Sequence, residues 1–76
     1  MNDMNISRPF DLLNNAIGKP VLLKLKGNKQ FRGKLQAFDQ HMNVVLEEVD
    51  ELEDGKKIET IGKALIRGDT IIYIAP

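Results

Sequence analysis

The sequence predicts an all-β fold: one short N-terminal helix, then a strongly bent five-stranded antiparallel sheet that closes as a small barrel. Three observations predict it. Beyond Pro20 the apolar residues fall in short, strand-like runs separated by the turn signals Gly27-Asn28, Asp54-Gly55 and Arg67-Gly68-Asp69. Before Pro20, Phe10, Leu13 and Ile17 recur at helical spacing instead. Finally, Gly33 and Gly62 fall inside strand-like runs, where glycine marks a bend or a close approach of backbone.

The elements follow in order. Residues 1–7 are polar and are expected to be a flexible segment, with 8–76 as a single domain. Ser7 is placed to cap the helix, with Pro9 in the first turn, Asp11 near the positive end of the dipole and Gly18 as the stop. From Val21 the period changes to two: Val21, Leu23 and Leu25 alternate with Leu22, Lys24 and Lys26. Gly27-Asn28 turns the chain into a second strand, Gln30 to Phe38, with Phe31, Gly33, Leu35 and Ala37 on one face and Arg32, Lys34 and Gln36 on the other. A third strand runs from about Asn43 to Glu51 and is apolar on both faces through Val44, Val45, Leu46 and Val49. After Asp54-Gly55 a fourth strand runs from Lys57 to Ile66. Ile71 to Ile74 form a short last strand, again apolar on both sides.

Size and composition bound the function. Seventy-six residues give a limited core, and the absence of cysteine removes disulfides and thiolate metal sites. His41 is the single histidine and cannot build a zinc site alone, so neither metal nor cofactor is expected. Oligomerisation is the remaining device, and the two-faced strand Ile71–Ile74 suits it: an exposed apolar edge is safest paired with another copy. One edge meeting a different edge gives a ring if the rotation closes. Net charge is zero, which argues against a charge-driven DNA coat. Yet Lys19, Lys24, Lys26, Lys29, Arg32 and Lys34 are all basic with no acid among them, while Glu47, Glu48, Asp50, Glu51, Glu53 and Asp54 form an acidic cluster. These are either two solvated faces or one face that meets phosphate and one that does not. No apolar run is long enough to span a membrane and no signal-peptide pattern is present, so a cytoplasmic protein is expected.

Two loops carry the chemistry. Asp39, His41 and Asn43 lie at alternate positions of one, and Arg67, Gly68 and Asp69 make the other. An imidazole and a guanidinium can stack on a nucleobase, and an amide can test its edge. Each residue also has a plainer reading. His41 can be a solvated loop residue, Asn43 and Asp39 can satisfy backbone groups of a turn, and Arg67 can be a surface charge or pair with Asp69. Gly68 is expected to supply a positive φ and Asp69 to cap the turn. An enzyme is not expected: the one serine, Ser7, sits away from His41, and the paired carboxylates lie on a strand and its turn. The adhesion tripeptide Arg-Gly-Asp is too short a match to carry weight.

The run Phe31-Arg32-Gly33-Lys34-Leu35-Gln36-Ala37-Phe38-Asp39-Gln40-His41-Met42-Asn43, followed by Ile66-Arg67-Gly68-Asp69-Thr70-Ile71, resembles the paired motifs of the Sm/LSm family, most closely the archaeal Sm-like proteins. The resemblance covers about residues 8–75; Val44 stands where leucine is common, a difference of packing only. It implies the Sm fold, an SH3-like open barrel, without catalysis. It implies homo-oligomeric rings, usually of seven subunits, joined through the fourth and fifth strands, with uridine-rich single-stranded RNA at the inner rim. Partners would be RNA, other copies and RNA-processing proteins, in the role of scaffold or chaperone in RNA metabolism. On matching positions, His41 and Arg67 would stack on uracil, Asn43 and Asp69 would bond to its edge or support the site, and Asp39 with Gly68 would orient the loops. The competing readings are a small SH3-like barrel acting as a protein-interaction module, which the few aromatic residues disfavour, and a DNA-binding barrel, which neutral charge disfavours.

Overall fold

A computed structural model describes residues 8–76. The segment 1–7 and the proposed cap Ser7 lie outside the described residues. Helix α1 spans Pro9–Ala16, and its N-cap is Arg8, one residue later than expected. An arginine cannot accept the free N–H groups of the first turn, so the capping runs the other way. The Asp11 carboxylate accepts from the Arg8 backbone N–H at 3.2 Å and from the Arg8 guanidinium at 3.2 Å. Of the three apolar residues at helical spacing, only Leu13 is buried, joined by Ala16. Ile17 falls at the C-cap with φ −56° and ψ 130°, which turns it off the helical face and leaves it exposed. Phe10 remains exposed at 42% but meets the ring of Phe38, with centroids 5.7 Å apart.

Five strands follow: β1 (Pro20–Leu25), β2 (Lys29–Phe38), β3 (Val44–Glu53), β4 (Lys56–Ile66) and β5 (Ile71–Ala75). They form one antiparallel sheet in the order β4-β3-β2-β1-β5, so β4 and β5 are its two edges. The β3–β4 turn is the two-residue Asp54-Gly55 with φ 52° and 79°, the paired left-handed geometry that matches the twist of a hairpin. Alternation places Val21, Leu23 and Leu25 of β1 in the core with Leu35, Val44, Leu46, Val49, Ile66 and the two helical residues. Ile71 and Ile74 of β5 pack partly against it.

Gly33 does what its position foretold. Between the pairs Arg32↔Asp50 and Lys34↔Glu47, β3 carries one extra residue, and Glu48 takes φ 54°. A Cβ on Gly33 would stand 2.9 Å from the Glu47 carbonyl oxygen and 3.3 Å from the Leu46 Cβ. Only glycine lets β2 and β3 approach here, and the sheet bends at this line. On the other side of β3 the register jumps from Leu46↔Ala64 to Val49↔Gly62, with Gly62 at φ 95°. A further slip between Leu35 and Ala37 corrects the expected face of Ala37: it is exposed, and Phe38 packs on the core instead. The cause is the extra residue, since one added position reverses every later side chain.

Candidate nucleic-acid interface

The β2–β3 loop is built around the Asp39 carboxylate. Its Oδ1 accepts from the backbone N–H of His41 at 2.9 Å and of Asn43 at 3.0 Å, and its Oδ2 accepts from Asn43 Nδ2 at 3.1 Å. Backbone bonds close the same loop, Met42 N to Asp39 O at 2.9 Å and Asp39 N to Asn43 O at 3.1 Å. Met42 pays for this tight path with φ 66°. The donors around Asp39, led by the Asn43 amide, hold its carboxyl below the ordinary carboxylate range. His41 contributes its backbone to the loop, while its imidazole makes no hydrogen bond with any described residue and stands exposed.

The second loop is a short 3-10 turn, Gly68–Thr70, between β4 and β5. Thr70 closes it with both its hydroxyl and its N–H on the Arg67 carbonyl, at 2.7 and 3.1 Å. Arg67 Nη2 lies 2.7 Å from Asp69 Oδ2, with the two side chains 75% and 62% exposed. Such an exposed pair adds little stability but parks the guanidinium beside the turn. Asp69 therefore holds Arg67 and makes no capping bond, which corrects the expected role.

Asn43 joins the two loops. Its Oδ1 accepts the Gly68 N–H at 2.8 Å across twenty-five positions of sequence, while its Nδ2 is engaged by Asp39. Gly68 is not in the left-handed region; its reason is proximity. A Cβ there would fall on the His41 carbonyl oxygen and 2.7 and 2.8 Å from the Met42 carbonyl carbon and oxygen. The backbone of the first loop thus rests directly on the second.

All six residues singled out in the sequence therefore meet in one place, with a clear division of labour. Asp39, Asn43 and Gly68 build the junction, and His41 and Arg67 carry exposed planar groups beside it, the guanidinium held at its edge by Asp69. Sequence reasoning missed Thr70, whose position three after Arg67 is a hydroxyl-turn signal, and Met42, whose left-handed φ has no such signal. Among the described residues no group of three or more His, Asp or Glu side chains could hold a metal ion, and no helix is long and apolar enough to cross a membrane.

Comparison with known proteins adds a second line of observation. The family model of the LSM domain matches residues 11–76. A protein of Methanococcoides burtonii described as snRNP Sm-like is 49% identical over 70 residues, covering 92% of this chain and 97% of its own. The structure of the Sm protein of Pyrococcus abyssii in complex with a uridine heptamer superimposes with a TM-score of 0.89 at 40% identity, over 92% of this chain and 99% of that one. The SmAP1 heptamer of P. aerophilum gives a TM-score of 0.85 at 37% identity, over 93% and 95%.

Proposed function

The chain belongs to the LSM domain family, and from that premise we propose that it is a non-catalytic RNA-binding protein of the cytoplasm. Copies close into a ring, seven-membered like the SmAP1 heptamer, and hold uridine-rich single-stranded RNA at the inner rim, in keeping with the uridine oligomer bound by the P. abyssii protein. The observation that carries this reading is the Asn43–Gly68 hydrogen bond, which fixes His41 and Arg67 on one rigid junction. Their planes are free to stack on a base, an interaction worth roughly 1–3 kcal/mol per base.

The same network supports a preference for uracil. An amide has two donor hydrogens and two acceptor lone pairs. Asn43 spends one donor on Asp39 and one acceptor on Gly68, so it cannot flip. One donor and one acceptor remain, in a fixed order. Uracil offers a carbonyl beside an N–H, which matches that order; cytosine offers an amine beside a bare nitrogen, which does not. The ring follows from the edges. β4 and β5 each lack a partner strand on their outer side, and each exposes apolar side chains, Leu65 on one and Ile72 and Tyr73 on the other. Head-to-tail pairing of β4 with the β5 of a neighbour satisfies both.

Titration with oligouridine, oligocytidine and oligodeoxythymidine, with ring mass followed by native mass spectrometry, tests the reading. His41→Ala and Arg67→Ala are expected to leave the ring whole and weaken oligouridine binding about five- to a hundred-fold per site. Wild-type affinity in both variants with rings intact would overturn the assignment of the site. Capture of peptides without any RNA affinity would instead favour a protein-interaction module.

A further inference from the structure

Arg67 has to present its guanidinium in a fixed place to cover a base, yet the side chain itself is held only by an exposed ion pair with Asp69. The backbone supplies the rest. Ile66 is the last residue of β4 and pairs with Val44, so the chain enters Arg67 from the sheet. On the far side, the peptide group between Arg67 and Gly68 is held at both poles. Its N–H, on Gly68, donates to Asn43 Oδ1 at 2.8 Å. Its carbonyl, on Arg67, accepts the Thr70 hydroxyl at 2.7 Å and the Thr70 N–H at 3.1 Å. A peptide group is planar, so bonds at both poles set its orientation.

The second hold answers a weakness that the first loop creates. The close backbone of His41 and Met42 leaves room only for glycine at position 68. Glycine brings the least steric restraint on its own φ. A single bond at the N–H is then a pivot about which the plane can turn, and bonds to the carbonyl remove that freedom. Thr70 is itself anchored. Its carbonyl accepts the Lys26 N–H at 3.1 Å, just past the end of β1, and Ile71 beyond it pairs with Leu25. The Thr70 N–H already closes the turn onto the Arg67 carbonyl, so the hydroxyl is not needed for closure; it adds a second donor to the same oxygen. We propose that Thr70 is a positioning residue of the base site: its hydroxyl holds the Arg67–Gly68 peptide plane, and through that plane the direction in which the Arg67 side chain leaves the backbone. The inference rests on the base-site reading. Serine carries the same hydroxyl, whereas valine and alanine carry none.

Titration of the rings with oligouridine reads the effect. Thr70→Val and Thr70→Ala should each weaken binding about two- to ten-fold per site, the worth of one hydrogen bond. Ring mass should stay unchanged in native mass spectrometry, and Thr70→Ser should bind like the wild type. Hydrogen exchange at the Gly68 amide, with no RNA present, should quicken in both variants that lack the hydroxyl and stay slow in Thr70→Ser. Because the hydroxyl acts through Arg67, Thr70→Val should add little further loss in an Arg67→Ala background. Wild-type affinity in both Thr70→Val and Thr70→Ala, an undiminished extra loss beside Arg67→Ala, or rings that come apart in both single variants would overturn this inference alone. If Arg67→Ala itself bound oligouridine like the wild type with rings intact, the base-site reading would fall, and the role of Thr70 with it.

Discussion

Asp39 and Asn43 hold together the loop that carries the proposed base site, and this has measurable consequences residue by residue. The Asp39 carboxyl is held below its ordinary range, so the folded loop prefers the ionised form. The stabilisation is present above the unfolded-chain carboxyl pKa and is lost as pH falls through the lower folded-state value. The amide signals of His41 and Asn43 should therefore move together in an NMR titration with a midpoint below that of a model aspartate, and Asp39→Asn should abolish that transition. A midpoint above the model value would contradict the network. Gly68→Ala sets a methyl against three backbone atoms of His41 and Met42, none of which can swing away. We expect a loss of at least about 1–3 kcal/mol in urea unfolding, together with weakened RNA binding. Asn43→Ala removes the junction as well as the base-edge groups. Its preference for uracil over cytosine should fall, but affinity for every base should fall too, because both loops lose their anchor. Unchanged binding to oligocytidine would assign Asn43 to base recognition alone.

At the scale of elements, the strands were legible because their apolar residues alternate and their turns carry glycine, asparagine and aspartate. The close approach at Gly33 was legible for the same reason: few other roles suit a glycine inside such a strand. Gly33→Ala should cost about 1–3 kcal/mol in denaturant unfolding, as the new Cβ meets the Glu47 carbonyl oxygen at 2.9 Å; a neutral effect would show that the bend relaxes freely. Register slips were not legible. Ala37 faces solvent because β2 and β3 slip between Leu35 and Ala37, and Glu48 turns left-handed because β2 presents Gly33 there; both depend on the partner strand, which one segment does not encode. At the helix start Asp11 was legible as a favourable first-turn acid, but its bonds to the Arg8 backbone N–H and guanidinium were not. In the loops, the residue identities pointed to the site, but their roles did not. Gly68 was expected to need a positive φ and instead needs an absent side chain, a fact set by His41 and Met42 from a distant part of the chain.

At the scale of the whole molecule, the two free edges govern behaviour. Proline at position 72 removes a main-chain donor from β5 and should break the ring, so that Ile72→Pro sediments as a monomer; rings that survive it would place the seam elsewhere. Sheet order has one more consequence, and it concerns time. β1 to β4 are joined by successive short turns, and each pairs with the next as a hairpin. β5 instead returns to β1, from the far end of the described chain. Loop closure makes such long-range pairings slow to form. The β1–β5 ladder is thus the last to close, and until it does β5 has no backing strand to hold it straight as an edge. Before that ladder closes the second edge of the sheet is β1, not β5, so the edge that the proposed seam uses exists only once the chain has finished folding.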